Sequence, residues 1–304
     1  MLTPRMPHFT PTAPAIYARR RIGVNADVID ASTIAIMQKI GITQCRVTIY
    51  WSTWVDARDL DSDGQPDNIA YQDAIRAALA LLDAAGIAPL IMVHSPPPSY
   101  AALASGIANM PAFMAGLAAM MPGRTWQIMN EVDDAPGGSN NGWFGTHGVD
   151  SDATRGDWYG QLLGPVYDAI KASDATATVV SGATGLAPAA FWTAALARAP
   201  AKADAICLHC YGEPIATTIS TRSIAARAVI GGLPLFCTEW GSTSADDATQ
   251  ASLLGPGLAE NDANNRFDRM YLYTLVNGSE NYFIAYTDGR LRHAAMLLRD
   301  RPAS

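Results

Sequence analysis

The sequence predicts a single-domain α/β fold, a (β/α)8 TIM barrel. Three observations carry that prediction. Short, apolar, β-rich runs alternate with longer Ala-rich periodic runs along the chain, the pattern of βαβ units and a parallel sheet. The strand-like runs number eight, as a closed barrel requires. No phosphate-binding loop follows the first run: Gly23-Val24-Asn25 lacks the dinucleotide spacing, and no Walker pattern occurs, which argues against a nucleotide-binding doubly wound sheet. A length of 304 residues is long for an average domain but ordinary for a barrel of about 250 residues with extended loops.

Residues 1–19 read as an extended N-terminal segment rich in proline, and residues 20–304 as the barrel. The first strand is expected at Arg21–Asn25, followed by a helix over Ala31–Ile40 and a second strand at Thr43–Tyr50. Gln72–Ala85 is the clearest helix, with Ile75, Leu79 and Leu82 on one face and Gly86 as its C-cap. Then come a strand at Ala88–His94, a helix at Ala101–Met121 and a strand at Thr125–Glu131. Helix Trp158–Ala172, strand Thr178–Gly182, helix Pro188–Ala199, strand Ala205–Tyr211, helix Ser220–Gly231 and strand Leu235–Glu239 continue the alternation. A helix over Asp262–Asn277, an eighth strand at Asn281–Tyr286 and a short helix around Leu291–Arg299 complete it. The longest irregular stretches, Trp51–Asn68, Ser95–Ser99, Val132–Asp157 and Gly241–Glu260, all follow strands, and post-strand loops build the catalytic face of a barrel.

Hydrophobic residues make up 49% and charged residues 16%, enough for a large core and too apolar for disorder. A net charge of −7 does not steer the chain toward nucleic acid or an anionic membrane. There is no uninterrupted apolar run of about 20 residues, so no membrane partner is expected. The N-terminus has no apolar core of the kind a secretory leader needs, which leaves a cytoplasmic protein or one whose leader has been removed. Cys207-Leu208-His209-Cys210 mimics a metal motif, but alternation along a strand points the two thiols to opposite faces. Cys45, Cys207, Cys210 and Cys237 are read as buried, reduced thiols.

The chemistry concentrates at strand ends. Glu131 closes Trp126-Gln127-Ile128-Met129-Asn130-Glu131, and Glu239 closes Leu235-Phe236-Cys237-Thr238-Glu239. Arg46 lies in the second strand, His94 ends the third, and His209 and Tyr211 share a face at the end of the sixth. So many polar groups on apolar strands would be costly if buried and unpaired, and one polar cleft accounts for all of them.

These residues carry a specific resemblance. The W-x-x-x-N-E segment ending at Glu131, the Thr238-Glu239-Trp240-Gly241 segment and His209-x-Tyr211 resemble the motifs of clan A glycoside hydrolases, in particular families 5, 39 and 51. Arg46 and His94 match further positions of family 5-like enzymes, and the likeness runs from about Arg20 to Arg299. It implies a retaining β-glycoside hydrolase acting on a polysaccharide or oligosaccharide by double displacement, with Glu131 as acid/base and Glu239 as nucleophile. The two carboxyls should then lie about 5 Å apart. Arg46 and Tyr211 are the groups expected to keep Glu239 ionised, since donors stabilise a carboxylate. Asn130 should donate to the sugar 2-hydroxyl, and His94 and His209 should orient the sugar or the acid. Two departures stand out. Val132 follows Glu131 where the related motif often has proline, and the eighth strand offers Tyr286 or Tyr282 where those enzymes often place a sugar-stacking Trp.

Trp51, Trp143 and above all Trp240 lie in or beside post-strand loops, where an aromatic face could cover a sugar ring. The mechanism requires no cofactor. Asp59, Asp61, Asp63 and Asp67 follow the D-x-D-x-D-G spacing of a calcium loop, although the bidentate Glu expected at the twelfth position is replaced by Ala70. The same residues also suit a plain Asp/Gly turn with Asp67 or Asn68 capping the next helix. A metal-dependent hydrolase would need a His/Asp cluster, for which His8, His147 and His293 are poorly placed. The partner expected is a carbohydrate and the chain a monomer. The alternative reading is a catalytically silent carbohydrate-binding barrel accessory to polysaccharide synthesis or export.

Overall fold

The computed structural model describes residues 22–56, 67–100, 102–133, 143–145, 149–186, 189–276 and 281–300. Its eight strands are β1 (Ile22–Asn25), β2 (Gln44–Tyr50), β3 (Ala88–His94), β4 (Thr125–Ile128), β5 (Thr178–Thr184), β6 (Ala205–Cys210), β7 (Leu235–Trp240) and β8 (Arg269–Leu272). All pair in parallel in chain order, and β8 returns to β1 to close one barrel. Parallel strands covered on both faces are mostly apolar, which is why they read as near-continuous apolar runs; every residue of β1 and β6 is buried, Asn25 and His209 included.

Between the strands run α1 (Ala31–Lys39), the short α2 (Trp51–Val55), α3 (Asp67–Ala84), α4 (Leu103–Met120), α5 (Asp152–Ser173), α6 (Ala189–Arg198), α7 (Ile215–Ile230), α8 (Asp247–Asn264) and α9 (His293–Arg299). Local chemistry sets their starts. Asp30 caps α1 in a reciprocal box with Thr33, and Ser151 and Asp246 accept from the third N–H of α5 and α8. α4 is long and apolar enough to cross a membrane by length and composition alone, with a mean hydropathy of 1.4. Here it lies in the outer ring, burying Met110, Met114, Leu117 and Ala118.

Two cores follow from strand alternation. The larger lies between strands and helices; the smaller, Leu90, Val180, Ala183, Ala205, Cys207, Phe236 and Tyr271, fills the barrel itself. Cys207 belongs to the inner group and Cys210 to the outer, on opposite faces of β6. All four cysteines are buried and unpaired.

The end of the chain differs from the sequence reading. Gly241–Glu260, expected as a loop, mostly forms α8, and the residues expected as the last long helix hold β8. Arg269-Met270-Tyr271-Leu272 is a four-residue strand, too short to show a period. Asn281–Tyr286 is no barrel strand: Ala285 makes only isolated bridges to Val276 and Leu291. This excursion is tied down by Arg292, whose buried guanidinium donates to the carbonyls of Asn281, Phe283, Ser244 and Ala245.

Candidate active site

β4 ends at Ile128, and the chain then bends sharply. Met129 and Glu131 both adopt left-handed backbone, φ 72° and 41°, at a cost of about 1–3 kcal/mol each for non-glycine residues. The bend brings Asn130 and Glu131 over the barrel mouth. Met129 is held by its N–H to the Val93 carbonyl of β3, and Val132 by its N–H to the Ala183 carbonyl of β5, both at 2.8 Å.

Glu239 points inward from β7, and Arg46 organises the groups around it. The Arg46 guanidinium, 3% exposed, donates to Glu239 Oε1 at 2.6 Å, Asn130 Oδ1 at 2.7 Å, Gln127 Oε1 at 2.8 Å and Asn25 Oδ1 at 2.9 Å. Asn25 is itself oriented by its amide to the Thr238 carbonyl at 3.0 Å. Tyr211 donates to the other oxygen, Oε2, at 2.9 Å. Burial works against ionising Glu239, but His209, the Arg46 charge and the two donors outweigh it and hold the carboxyl below its ordinary value. Tyr211 is driven the opposite way, by burial first and then by the Glu239 charge, so it remains a neutral donor.

His209, fully buried, lies between the carboxylates. Its Nδ1 is 3.1 Å from Glu131 Oε1 and its Nε2 is 3.5 Å from Glu239 Oε1. Facing oxygens of Glu131 and Glu239 and the intervening His209 nitrogen all lie within 4.8 Å of one another. The glutamates differ in access: the Glu131 side chain is 36% exposed and that of Glu239 12%. The same three residues are close enough to ligate a divalent cation, but Arg46 already places a positive charge on Glu239.

Arg46, Asn130, Glu131, His209, Tyr211 and Glu239, all singled out from sequence, thus converge, whereas Trp240, Trp51, Trp143 and Tyr286 do not. Trp240 is fully buried on the outer face of β7, near Gly257 of α8; with Glu239 inward, its neighbour must face outward. Trp51, 1% exposed, packs against Tyr100, Phe113 and Trp143. Trp143, 4% exposed, spends its indole N–H on the Tyr100 carbonyl at 2.8 Å. Tyr286 packs on Phe283 and under Arg290, because the segment carrying it is not the eighth strand. His94 is buried, with Nδ1 3.0 Å from Ser95 Oγ and its ring against the exposed Tyr50 at 4.9 Å. Asp59, Asp61 and Asp63 lie outside the described residues; Asp67 begins α3, its side chain also outside them.

Of the two tyrosines weighed from sequence, Tyr282 reaches the site where Tyr286 does not. Tyr282 contacts both Tyr211 and Tyr273, each at 5.5 Å between ring centres, and Tyr273 directly follows β8. Gly241 permits this: a Cβ there would sit 2.7 Å from the Tyr273 carbonyl and 2.9 Å from the Tyr282 ring. Asn25, Gln127 and Asp27 also escaped the sequence reading. Asn25 and Gln127 could have been found as polar residues inside apolar strands. Asp27 faces solvent at the mouth, yet the surrounding protein and then the Glu239 charge push its carboxyl up, against the pull of Arg46.

No curated protein matches the chain in sequence. In fold it resembles a family 39 glycoside hydrolase from the gut symbiont Bacteroides cellulosilyticus WH2 (TM-score 0.65, 16% identity, 94% of this chain), although it spans only 64% of that enzyme's length. It also resembles a broad-specificity endoglucanase from Clostridium acetobutylicum (TM-score 0.68, 16% identity, 93% of this chain and 97% of the other). A third likeness is to a family 5 xyloglucanase from Paenibacillus pabuli (TM-score 0.66, 9% identity, 95% and 100%). The Cellulase (glycosyl hydrolase family 5) profile matches residues 17–270. With most of the chain covered by that match, the protein belongs to glycosyl hydrolase family 5.

Proposed function

We propose that the protein hydrolyses a β-glycosidic bond of a polysaccharide or oligosaccharide with retention, Glu239 serving as nucleophile and Glu131 as acid/base. One observation carries the assignment: two carboxylates with oxygens within 4.8 Å, in unlike surroundings. That spacing suits direct attack by one carboxylate rather than the wider separation of an inverting pair. Glu239, held ionised by Arg46 and Tyr211, is poised to attack the anomeric carbon. Glu131, more open and paired with the His209 imidazole, protonates the departing oxygen and then draws a proton from the water that cleaves the glycosyl ester. Arg46 fixes Asn130 through its carbonyl oxygen, and Asn130 serves the sugar 2-hydroxyl. Tyr273 and Tyr282 offer the stacking surface that Trp240, Trp51 and Trp143 do not. The endoglucanase and xyloglucanase among the structural neighbours favour a β-glucan backbone.

Azide rescue tests the roles. Glu239→Ala with azide should give an inverted glycosyl azide, and Glu131→Ala on an activated aryl glycoside a retained one. The opposite pair of products would exchange the roles, and full activity in both variants would place the site elsewhere. The chemistry needs no cofactor; calcium in the Asp59–Asp67 loop would act on stability, so chelator should lower the melting temperature and added calcium restore it.

A further inference from the structure

The segment bearing Glu131 holds a conformation that it does not favour by itself. Neither left-handed residue, Met129 or Glu131, is glycine, and β4 has already ended. The restraint comes from β5 and the loop beyond it. Asp133, 3% exposed, turns one carboxylate oxygen to each of two successive backbone N–H groups, Gly185 at 2.7 Å and Leu186 at 3.0 Å. Its own carbonyl accepts from Arg155 of α5 at 2.7 Å. Tyr159 of α5 ties the same two strand ends, donating to the Ile128 carbonyl at 3.1 Å and accepting from the Gly182 N–H at 2.6 Å. Gly182 provides the room: a Cβ there would lie 2.4 Å from Val132 Cγ1 and 2.6 Å from the Ile128 carbonyl.

This arrangement explains why Val132 stands where related sequences often carry proline. Proline would stiffen the turn, but it has no N–H and could not bond the Ala183 carbonyl as Val132 does. Here the stiffness is borrowed from the neighbouring strand.

We propose that Asp133 is a positioning residue for catalysis: by clamping the β5 loop it fixes the backbone of Glu131 and so the direction in which that carboxyl presents its proton. The inference rests on Glu131 being the acid/base. A misdirected acid penalises departing groups that need a proton and spares those that do not. Residues that merely support the fold make no such distinction.

Aryl β-cellobiosides with poor (phenyl) and good (2,4-dinitrophenyl) leaving groups supply the test, with Glu131→Gln run alongside. Asp133→Ala should lower kcat/KM for the phenyl glycoside by about 30-fold or more while changing the dinitrophenyl value by about threefold or less, on the scale general acid catalysis allows. Asp133→Asn, which keeps one acceptor oxygen, should fall between, and it gives the same readout if the alanine variant does not fold. Equal losses on both substrates, or none, would overturn the positioning role while leaving Glu131 assigned. If Glu131→Gln itself shows no leaving-group dependence, the acid assignment fails, and the role of Asp133 fails with it.

Discussion

Tyr211 donates its hydroxyl to Oε2 of Glu239 at 2.9 Å, on the opposite side of the carboxylate from Arg46. The hydroxyl keeps its proton because burial and the adjacent carboxylate both oppose losing it. With Arg46 on the other oxygen, it fixes the rotation of the Glu239 carboxylate. Tyr211→Phe should lower kcat/KM about 10–100-fold, as expected for losing one hydrogen bond to a charged group. Stability should change little, since the ring remains; steady-state kinetics and a melting curve separate the two effects.

Removing Arg46 should move the acid side of the pH profile. Glu239 titrates below its ordinary value partly because of Arg46, so Arg46→Met should raise it and shift the acid limb of kcat/KM to higher pH. Activity at the optimum should fall on the order of 10²–10³-fold. In the unaltered protein the depressed Glu239 contributes stability that is fully present above the unfolded glutamate value, about 4.3, and is lost as pH falls through the folded one. Arg46→Met should flatten that dependence in urea titrations at stepped pH.

Trp51→Ala should damage the fold rather than binding. The ring is buried among Tyr100, Phe113 and Trp143, so its removal should cost about 3–5 kcal/mol. A urea midpoint well below that of the unaltered protein, with KM for short oligosaccharides preserved, is the expected result.

Tyr282→Ala should behave in the reverse manner. Its ring stands over Gly241 beside Tyr211 and Tyr273, partly open to solvent. Losing a stacking face should cost kcat/KM about 10-fold, with the melting temperature nearly unchanged.

Much of this was legible in the chain. A glutamate that ends an apolar strand announces itself, and Arg46, His209 and Tyr211 stand out because charge and polarity are rare in such strands. The aromatic contacts were not legible in the same way. Tryptophan serves packing and sugar contact equally well in composition; burial decides, and burial depends on partners such as Tyr100 and Phe113 that lie far along the chain. For Trp240 the answer was available, since strand alternation turns it away once Glu239 is inward. β8 was hidden because four residues carry no measurable period, whereas the apolar Asn281–Tyr286 run imitates a strand while forming isolated bridges to Val276 and Leu291. The left-handed turns at Met129 and Glu131 leave no mark in residue type at all.

The Trp51–Tyr100–Phe113–Trp143 cluster joins segments that follow three different strands. These segments share one apolar anchor outside the barrel, and none can be exchanged alone without leaving a hole or a clash in the others. Gly106 marks how close the fit is, since a Cβ there would fall 2.2 Å from the Trp143 ring. For anyone seeking to alter substrate preference by transplanting loops from a relative, the inheritable unit is the set of segments together with its aromatic anchor. Divergence of this rim should accordingly proceed by coordinated replacement, with the tryptophans changing in company or not at all.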